Sequence, residues 1–128
     1  MSPTARSLAF LRRGGYVGGV VERWIPGANV RKDFLGCIDI IVVRQDETLA
    51  VQATTIGNMA HRIAKAQGQP GLLKWLEGGT RLFQVHGWYK RGRRWETKIT
   101  ELRPDDLSPV VVQGPRRRGR KPVQAELF

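Results

Sequence analysis

The stretch "DFLGCIDIIVVRQDETLAVQATT", residues 33–55, decides the fold of this chain. Residues 35–43 form an apolar run short enough to be a central strand, and "RQDE" then supplies turn residues. Residues 48–55 alternate in character, which is typical of a second strand. The stretch therefore predicts two neighbouring strands of one sheet.

Polar side chains interrupt both predicted strands. Asp39 lies inside the first apolar run, and Gln52 and Thr54 lie two positions apart on the second. An ionised carboxylate is costly to bury unless it is paired or holds a metal ion. Since residues two apart on a strand share a face, we expect Gln52 and Thr54 to point the same way, close to Asp39.

The segments around this stretch add helices and further strands. Ser2, Pro3 and Thr4 form a typical helix start, and Gly14 and Gly15 a typical stop. The remaining predicted elements are a strand over 16–24, a loop over 25–33, helices over 59–67 and 71–79, and strands over 81–90 and 94–102. We predict an α/β fold with a mixed central sheet flanked by helices, in the order αβββαβ.

Length and composition are those of a single globular domain. The 128 residues are 41% hydrophobic and 26% charged, and no apolar run reaches the roughly 18 residues that span a membrane. The start of the chain lacks the pattern of a signal peptide. The single cysteine, Cys37, excludes an internal disulfide and, with two histidines, argues against a Cys/His metal cluster. We expect a cytoplasmic protein, in a bacterium or a phage-infected host, without membrane contact.

The charge points to a polyanionic partner. Twenty-two Lys and Arg against eleven Asp and Glu give a formal charge of +11, and nucleic acid is the usual ligand of such a protein. Charge that only aids solubility, and an acidic membrane surface, are the alternatives. Five of the basic residues lie in the last 16 positions, so the rest of the chain is basic without them.

The chain divides near residue 104. We predict a folded nuclease-like DNA-binding domain over 1–104 and a flexible basic tail over 105–128, because the tail has too few apolar residues to join a core.

The order of strand with Asp, tight turn, strand with a polar pair, and helix resembles the PD-(D/E)XK nuclease superfamily. Within it, the chain looks like the small Holliday-junction-resolvase-like proteins of phage and prophage, over roughly residues 4–102. There, one strand presents an Asp, and the next an acid and a Lys two positions apart. Asp39 takes the position of the Asp, and Gln52 and Thr54 fall where the acid and the Lys are expected.

The resemblance implies hydrolysis of phosphodiester bonds with Mg²⁺ or Mn²⁺, by a homodimer that cuts two strands symmetrically. Asp39 and Gln52 would be metal ligands, although Gln52 lacks a charge and Thr54 cannot replace a lysine. Lys65 is the candidate for a relocated lysine, with Arg62 facing the same way. Glu22 or Asp33 would supply the second carboxylate, since residues 1–13 contain no acid; a surface ion pair and a loop cap are the alternatives for these two.

A basic turn between the last two strands is a further candidate for DNA contact. Lys90, Arg91, Arg93 and Arg94 are expected to meet phosphates. Four aromatic residues lie close to this turn or in the predicted helix over 71–79 and could stack on bases. We expect their rings to pack against other residues of the protein instead: Trp75, Trp88, Tyr89 and Trp95.

The tail carries two short motifs. "RRRGRKP", with Arg116, Arg117, Arg118, Arg120 and Lys121, looks like an AT-hook that binds a narrow minor groove, and a generic basic tail is the alternative. "QAELF" resembles the pentapeptide by which bacterial replication and repair proteins bind the sliding clamp. Gln124, Leu127 and Phe128 match that motif.

The sequence thus favours an Mg²⁺-dependent DNA endonuclease, acting on branched or linear DNA and tethered to the sliding clamp. The first alternative is a catalytically inactive adaptor with the same fold and tail, which Gln52 and Thr54 favour. A basic protein associated with the ribosome or with RNA is the second alternative.

Overall fold

A five-stranded mixed sheet forms the centre of the computed structural model, which describes residues 1–107 and the backbone of 111–112 and 123–124. The predicted class, α/β with a mixed central sheet flanked by helices, is confirmed. In chain order the elements are α1 (Pro3–Arg13), β1 (Val17–Val20), β2 (Arg23–Ile25), β3 (Val30–Lys32), β4 (Ile40–Arg44), β5 (Glu47–Thr55), α2 (Met59–Gln67), α3 (Pro70–Leu76), β6 (Arg81–Arg91), β7 (Arg94–Leu102), β8 (Val111–Val112) and β9 (Val123–Gln124), with 3-10 turns at Ile56–Asn58 and Pro104–Asp106.

The strands of the central sheet lie in the order β1-β4-β5-β6-β7. β5 and β6 are parallel, and the other neighbours are antiparallel. Parallel neighbours need a crossover connection, and α2 with α3 provides it here. β2 and β3 form a separate two-stranded hairpin, called the arm below (residues 23–32).

The core lies on both faces of the sheet. Leu49 and Val51 pack on one face with Leu11 of α1. Ala50, between them, packs on the other face with Met59 and other apolar residues of α2 and α3. Because β5 is covered on both sides, its apolar residues include consecutive positions.

The helices begin where the sequence indicates, and α1 and α2 also end there, whereas α3 ends at Leu76 rather than at residue 79. The hydroxyl of Ser2 accepts a hydrogen bond from the amide of Ala5 at 3.1 Å, and Pro3 takes the first helical position. α3 likewise starts at Pro70. These boundaries are set by interactions within one turn, which is why the sequence predicts them.

The first strand and the loop after it differ from the prediction. Instead of one strand over 16–24, β1 ends at Val20 and the chain turns into the arm. Instead of a loop over 25–33, Val30–Lys32 pairs with Arg23–Ile25 around a turn with positive φ at Gly27 (86°) and Asn29 (51°). Three-residue strands are too short for a periodic pattern to reveal.

The apolar run before β4 is also not a strand. Leu35 and Gly36 have φ of 54° and 77°, which a strand does not allow, and they turn the chain so that Asp39 lies in a bend next to Ile40. Cys37 and Ile38 are nevertheless fully buried. A buried irregular segment and a buried central strand both require a run of apolar residues. The sequence therefore does not distinguish between them.

The end of the domain is anchored to α2. The side-chain amide of Gln67 donates to the carbonyl of Asp106 at 2.8 Å, and Leu107 packs against the core. Beyond it, β8 pairs with β9. Most residues of the two tail motifs lie outside the described residues: Arg116, Arg117, Arg118, Arg120, Lys121, Leu127 and Phe128. Among the helices that the structure describes, none has the length and apolar character to cross a membrane.

Candidate functional site

Three carboxylates meet where the arm joins the sheet. Glu22 immediately precedes β2 and Asp33 immediately follows β3, so the antiparallel pairing of the arm places them side by side at its base. Asp39 precedes β4 and faces both. One carboxylate oxygen from each of the three residues lies within 4.8 Å of the others. These three side chains lie close enough to bind a metal ion.

Asp39 is the most deeply buried of the three, at 4% exposure. Its Oδ2 accepts a hydrogen bond from the backbone amide of Ala53 on β5, at 3.0 Å. Burial, followed by the hydrogen bond with Asp33 and the negative charges of Asp33 and Glu22, raises the pKa of Asp39 to about 8, against the opposing effect of the Ala53 amide. The cluster therefore favours a positive charge placed among its oxygens.

Gln52 forms the floor beside this cluster and is 1% exposed. Its Nε2 donates to Oδ2 of Asp33 at 3.1 Å, which leaves Oε1 directed elsewhere. Oε1 is buried and accepts no hydrogen bond from any protein group that the structure describes. A buried acceptor without a partner costs about 1–3 kcal/mol, and a cation next to it would remove that cost.

Cationic side chains complete the cleft. It has a volume of about 380 Å³ and is lined on its basic side by Arg31, Lys32, Arg62 and Lys65. Nη1 of Arg31 lies 3.1 Å from Oε1 of Glu22. A ligand with negative charge can thus lie against these cations while its other side faces a metal ion at the carboxylates.

The ligand atoms match a hard divalent cation. The three carboxylates offer only oxygen, which Mg²⁺, Mn²⁺ and Ca²⁺ prefer. Mg²⁺ holds its ligands at about 2.0–2.1 Å in an octahedron, so neighbouring ligands are about 2.9 Å apart and opposite ones about 4.1 Å. The three carboxylate oxygens, which lie within 4.8 Å of one another, would therefore move closer together to hold Mg²⁺.

The structure brings together most of the predicted site residues. Asp39, Gln52, Glu22, Asp33, Arg62 and Lys65 line one cleft. Thr54 does not line it: this side chain is buried on β5 opposite Gly87, where Met59 of α2 packs. Lys90, Arg91, Arg93 and Arg94 lie exposed at the β6–β7 turn, away from the cleft lining.

Three residues that line the cleft with polar or charged side chains were not predicted from the sequence, namely Thr4, Arg31 and Lys32. Thr4 lies on α1, and only the packing of α1 against the sheet brings it to the cleft. Arg31 and Lys32 directly precede Asp33 in the sequence. Because residues 25–33 are predicted to be a loop, nothing in the sequence analysis places these two cations beside the carboxylates.

The prediction that the aromatic rings pack is right for two tryptophans and wrong for one. Trp75 donates to the carbonyl of Leu82 at 2.9 Å, and Trp88 is buried and donates to Ser7 Oγ at 2.8 Å. Trp95 is instead 43% exposed, because β7 is an edge strand.

Comparisons of the chain with models of protein families, with curated proteins and with solved structures each give no match. The function is therefore argued from the site.

Proposed function

We propose that this protein is an Mg²⁺-dependent DNA endonuclease of the PD-(D/E)XK type, resembling Holliday junction resolvases. The observation that carries the proposal is the cluster of Glu22, Asp33 and Asp39 in a cleft with cationic walls, beside the buried side chain of Gln52. Mn²⁺ has the same oxygen preference and would serve as well.

The side chains divide the work of phosphodiester hydrolysis between them. The three carboxylates and the Gln52 carbonyl would hold the ion, which when bound polarises the phosphate and lowers the pKa of a coordinated water. Lys65 and Arg62 would bind the nonbridging phosphate oxygens and stabilise the charge that grows there as water attacks. Asp39 is fixed for this role by the amide of Ala53.

A catalytically inactive adaptor is the second candidate. Two observations favour it: Thr54 lies outside the cleft, and the lysine that reaches the cleft from α2, Lys65, is exposed rather than held on the strand. In both proposals the protein forms a homodimer and binds the sliding clamp through residues 124–128.

The test compares Asp39→Asn with Asp46→Asn, an exposed acid of the β4–β5 turn that serves as a matched control. Branched and linear DNA are incubated with each protein in Mg²⁺ or Mn²⁺, and thermal unfolding is followed with and without the metal. We expect cleavage by the wild type and the control, a loss of about 100-fold or more in Asp39→Asn, and a metal-induced rise in Tm that this variant lacks.

The possible results separate the proposals. A metal-induced rise in Tm and DNA binding without cleavage in any protein would establish the adaptor. Cleavage that survives Asp39→Asn would refute the proposed active site. RNA bound far more tightly than DNA of equal charge would favour the RNA-associated protein.

A further inference from the structure

A second groove, called the aromatic groove below, lies along α1 and the β6–β7 hairpin. It shares no lining residue with the acidic cleft, which is the cleft that contains Glu22, Asp33 and Asp39. Its volume is about 360 Å³, at the low end of the range for small-molecule sites. The walls used below are Phe10 and Arg13 of α1, Trp88 and Tyr89 of β6, and Trp95 and Ile99 of β7.

Large apolar side chains in this groove remain exposed after folding. Phe10, Trp95 and Ile99 are 37%, 43% and 40% exposed. Such side chains occur singly on most surfaces, but three in one concave site mark a place where a ligand with apolar faces can bind.

The aromatic rings are held in place before any ligand arrives. The guanidinium of Arg6 lies 3.7 Å from the centroid of the Trp95 ring, so one face of the indole is covered and the ring orientation is fixed. Phe10 meets Trp88 edge to face at 6.2 Å, and Trp88 is anchored to Ser7. Preordered rings lose little side-chain entropy when a flat ligand stacks on them.

The charge around the groove fits a nucleic-acid strand. Arg13 lines it, and Lys90 pairs directly opposite Trp95 in the sheet, so both side chains project from the same face. The acid among the lining residues, Glu96, accepts a hydrogen bond from the hydroxyl of Tyr89 at 3.0 Å. The hairpin turn next to Lys90 adds Arg91, Arg93 and Arg94.

We propose that this groove binds an unpaired base of a nucleic-acid strand. The base stacks against the rings of Phe10 and Trp95, and the adjoining phosphates bind Arg13 and Lys90. Bases within an intact duplex are covered by their neighbours and cannot enter, so the groove selects nucleic acid with unpaired bases, such as the single-stranded part of a branched substrate. The proposal rests on the proposed function only in taking nucleic acid as the ligand, because stacking requires no metal ion.

The experiment measures binding of full-length protein in EDTA, where no metal-dependent step occurs. Three fluorescently labelled probes with the same number of phosphates per strand are compared: a 12-nucleotide single strand, the same strand with abasic sites, and a blunt 12-base-pair duplex. Trp95→Ala is expected to weaken binding of the normal single strand by about 5- to 160-fold. Binding of the abasic strand and the duplex should change less than about twofold.

Trp24→Ala is the matched control, because Trp24 is a similarly exposed tryptophan (53%) on the arm. An equal loss in the two variants, an equal loss on all three probes, or no loss with Trp95→Ala would overturn the proposal. So would a change in sedimentation mass with Trp95→Ala and no change in affinity, which would assign the groove to a second copy of the chain. Unfolding temperatures confirm that both variants are folded. Failure here leaves the cleavage test of Asp39→Asn untouched, and the reverse also holds.

Discussion

At the scale of single residues, the pKa values of two buried side chains, Asp39 and His86, are shifted in opposite directions. Burial, and then the neighbouring carboxylates of Asp33 and Glu22, raise the pKa of Asp39, so the cluster favours a cation. His86 is buried in a network of neutral groups: Nδ1 lies 2.9 Å from Ser7 Oγ, and Nε2 lies 3.0 Å from Gln84 Oε1. The amide oxygen of Gln84 can only accept, so Nε2 carries the hydrogen and Nδ1 accepts from Ser7.

This Ser7–His86 pair serves packing rather than nucleophilic catalysis. Ser7 is fully buried, and its hydroxyl also accepts from the indole of Trp88. A serine nucleophile must reach its substrate, and this one joins α1 to β6 inside the core.

The network predicts a dependence of stability on pH. Burial lowers the pKa of His86 from 6.5 to about 4, so between these values the unfolded chain binds a proton that the folded chain does not. Stability due to His86 is therefore present above pH 6.5 and is lost as the pH falls towards 4, by up to about 3 kcal/mol.

The measurement is urea unfolding of wild type and His86→Gln from pH 7 to pH 4. Subtracting the two profiles isolates His86 from the other titrating groups, including Asp39. We expect the difference in free energy of unfolding to shrink as the pH falls; a constant difference would contradict the buried neutral imidazole.

At the scale of elements, the arm assembles the acidic cluster. Its two strands are three residues long and mostly exposed, yet their pairing sets Glu22 beside Asp33. The arm also supplies a cation, Arg31, which already occupies the Glu22 carboxylate. A metal ion bound at the cluster would thus compete with the guanidinium of Arg31 for the same oxygens.

That competition can be measured with Arg31→Gln, using Arg23→Gln of the neighbouring strand as control. Arg31 is 68% exposed, and exposed ion pairs contribute about 0.2–1 kcal/mol. Removing it should therefore tighten Mg²⁺ binding by up to about fivefold, as followed by calorimetry. Weaker Mg²⁺ binding would mean that Arg31 positions Glu22 rather than competing for it.

At the scale of the whole molecule, positive charge is spread over both the domain and the tail. Residues 1–112 hold 17 basic and 10 acidic residues, and residues 113–128 hold five and one. α1 connects the two proposed sites of the domain, since Thr4 lines the acidic cleft and Phe10 lines the aromatic groove. A strand that contacts both would therefore follow this helix.

Two truncations test the tail. Removing residues 113–128 should weaken duplex DNA binding and make log K less dependent on log salt. The slope should fall by about 0.9 for each phosphate that the tail neutralises, at most about 4.5 for five basic residues. Removing only residues 124–128 should leave DNA affinity nearly unchanged and abolish co-elution with the bacterial sliding clamp. Clamp binding that survives the shorter truncation would show that the pentapeptide assignment is wrong.

The sequence by itself determined the parts of the molecule that depend on near neighbours. Ser2 and Pro3 start α1, Pro70 starts α3, and the alternation of residues 94–102 gives β7 its observed bounds. The sequence also predicted that Asp39 and Gln52 line the candidate site. A buried polar side chain needs a partner, whether the apolar run around it forms a strand or a turn.

Tertiary structure alone decided which side chains meet. Glu22, Asp33 and Asp39 converge because the arm pairs its strands and residues 35–39 turn instead of extending. Thr54 is buried away from the cleft by its register against Gly87, and Trp95 stays exposed because β7 is an edge strand. Local preferences act over a few residues, whereas register and edge position depend on segments far apart in the chain. The helices and the longer strands could therefore be predicted, whereas the short strands of the arm could not, and the composition of the site could be predicted only in part.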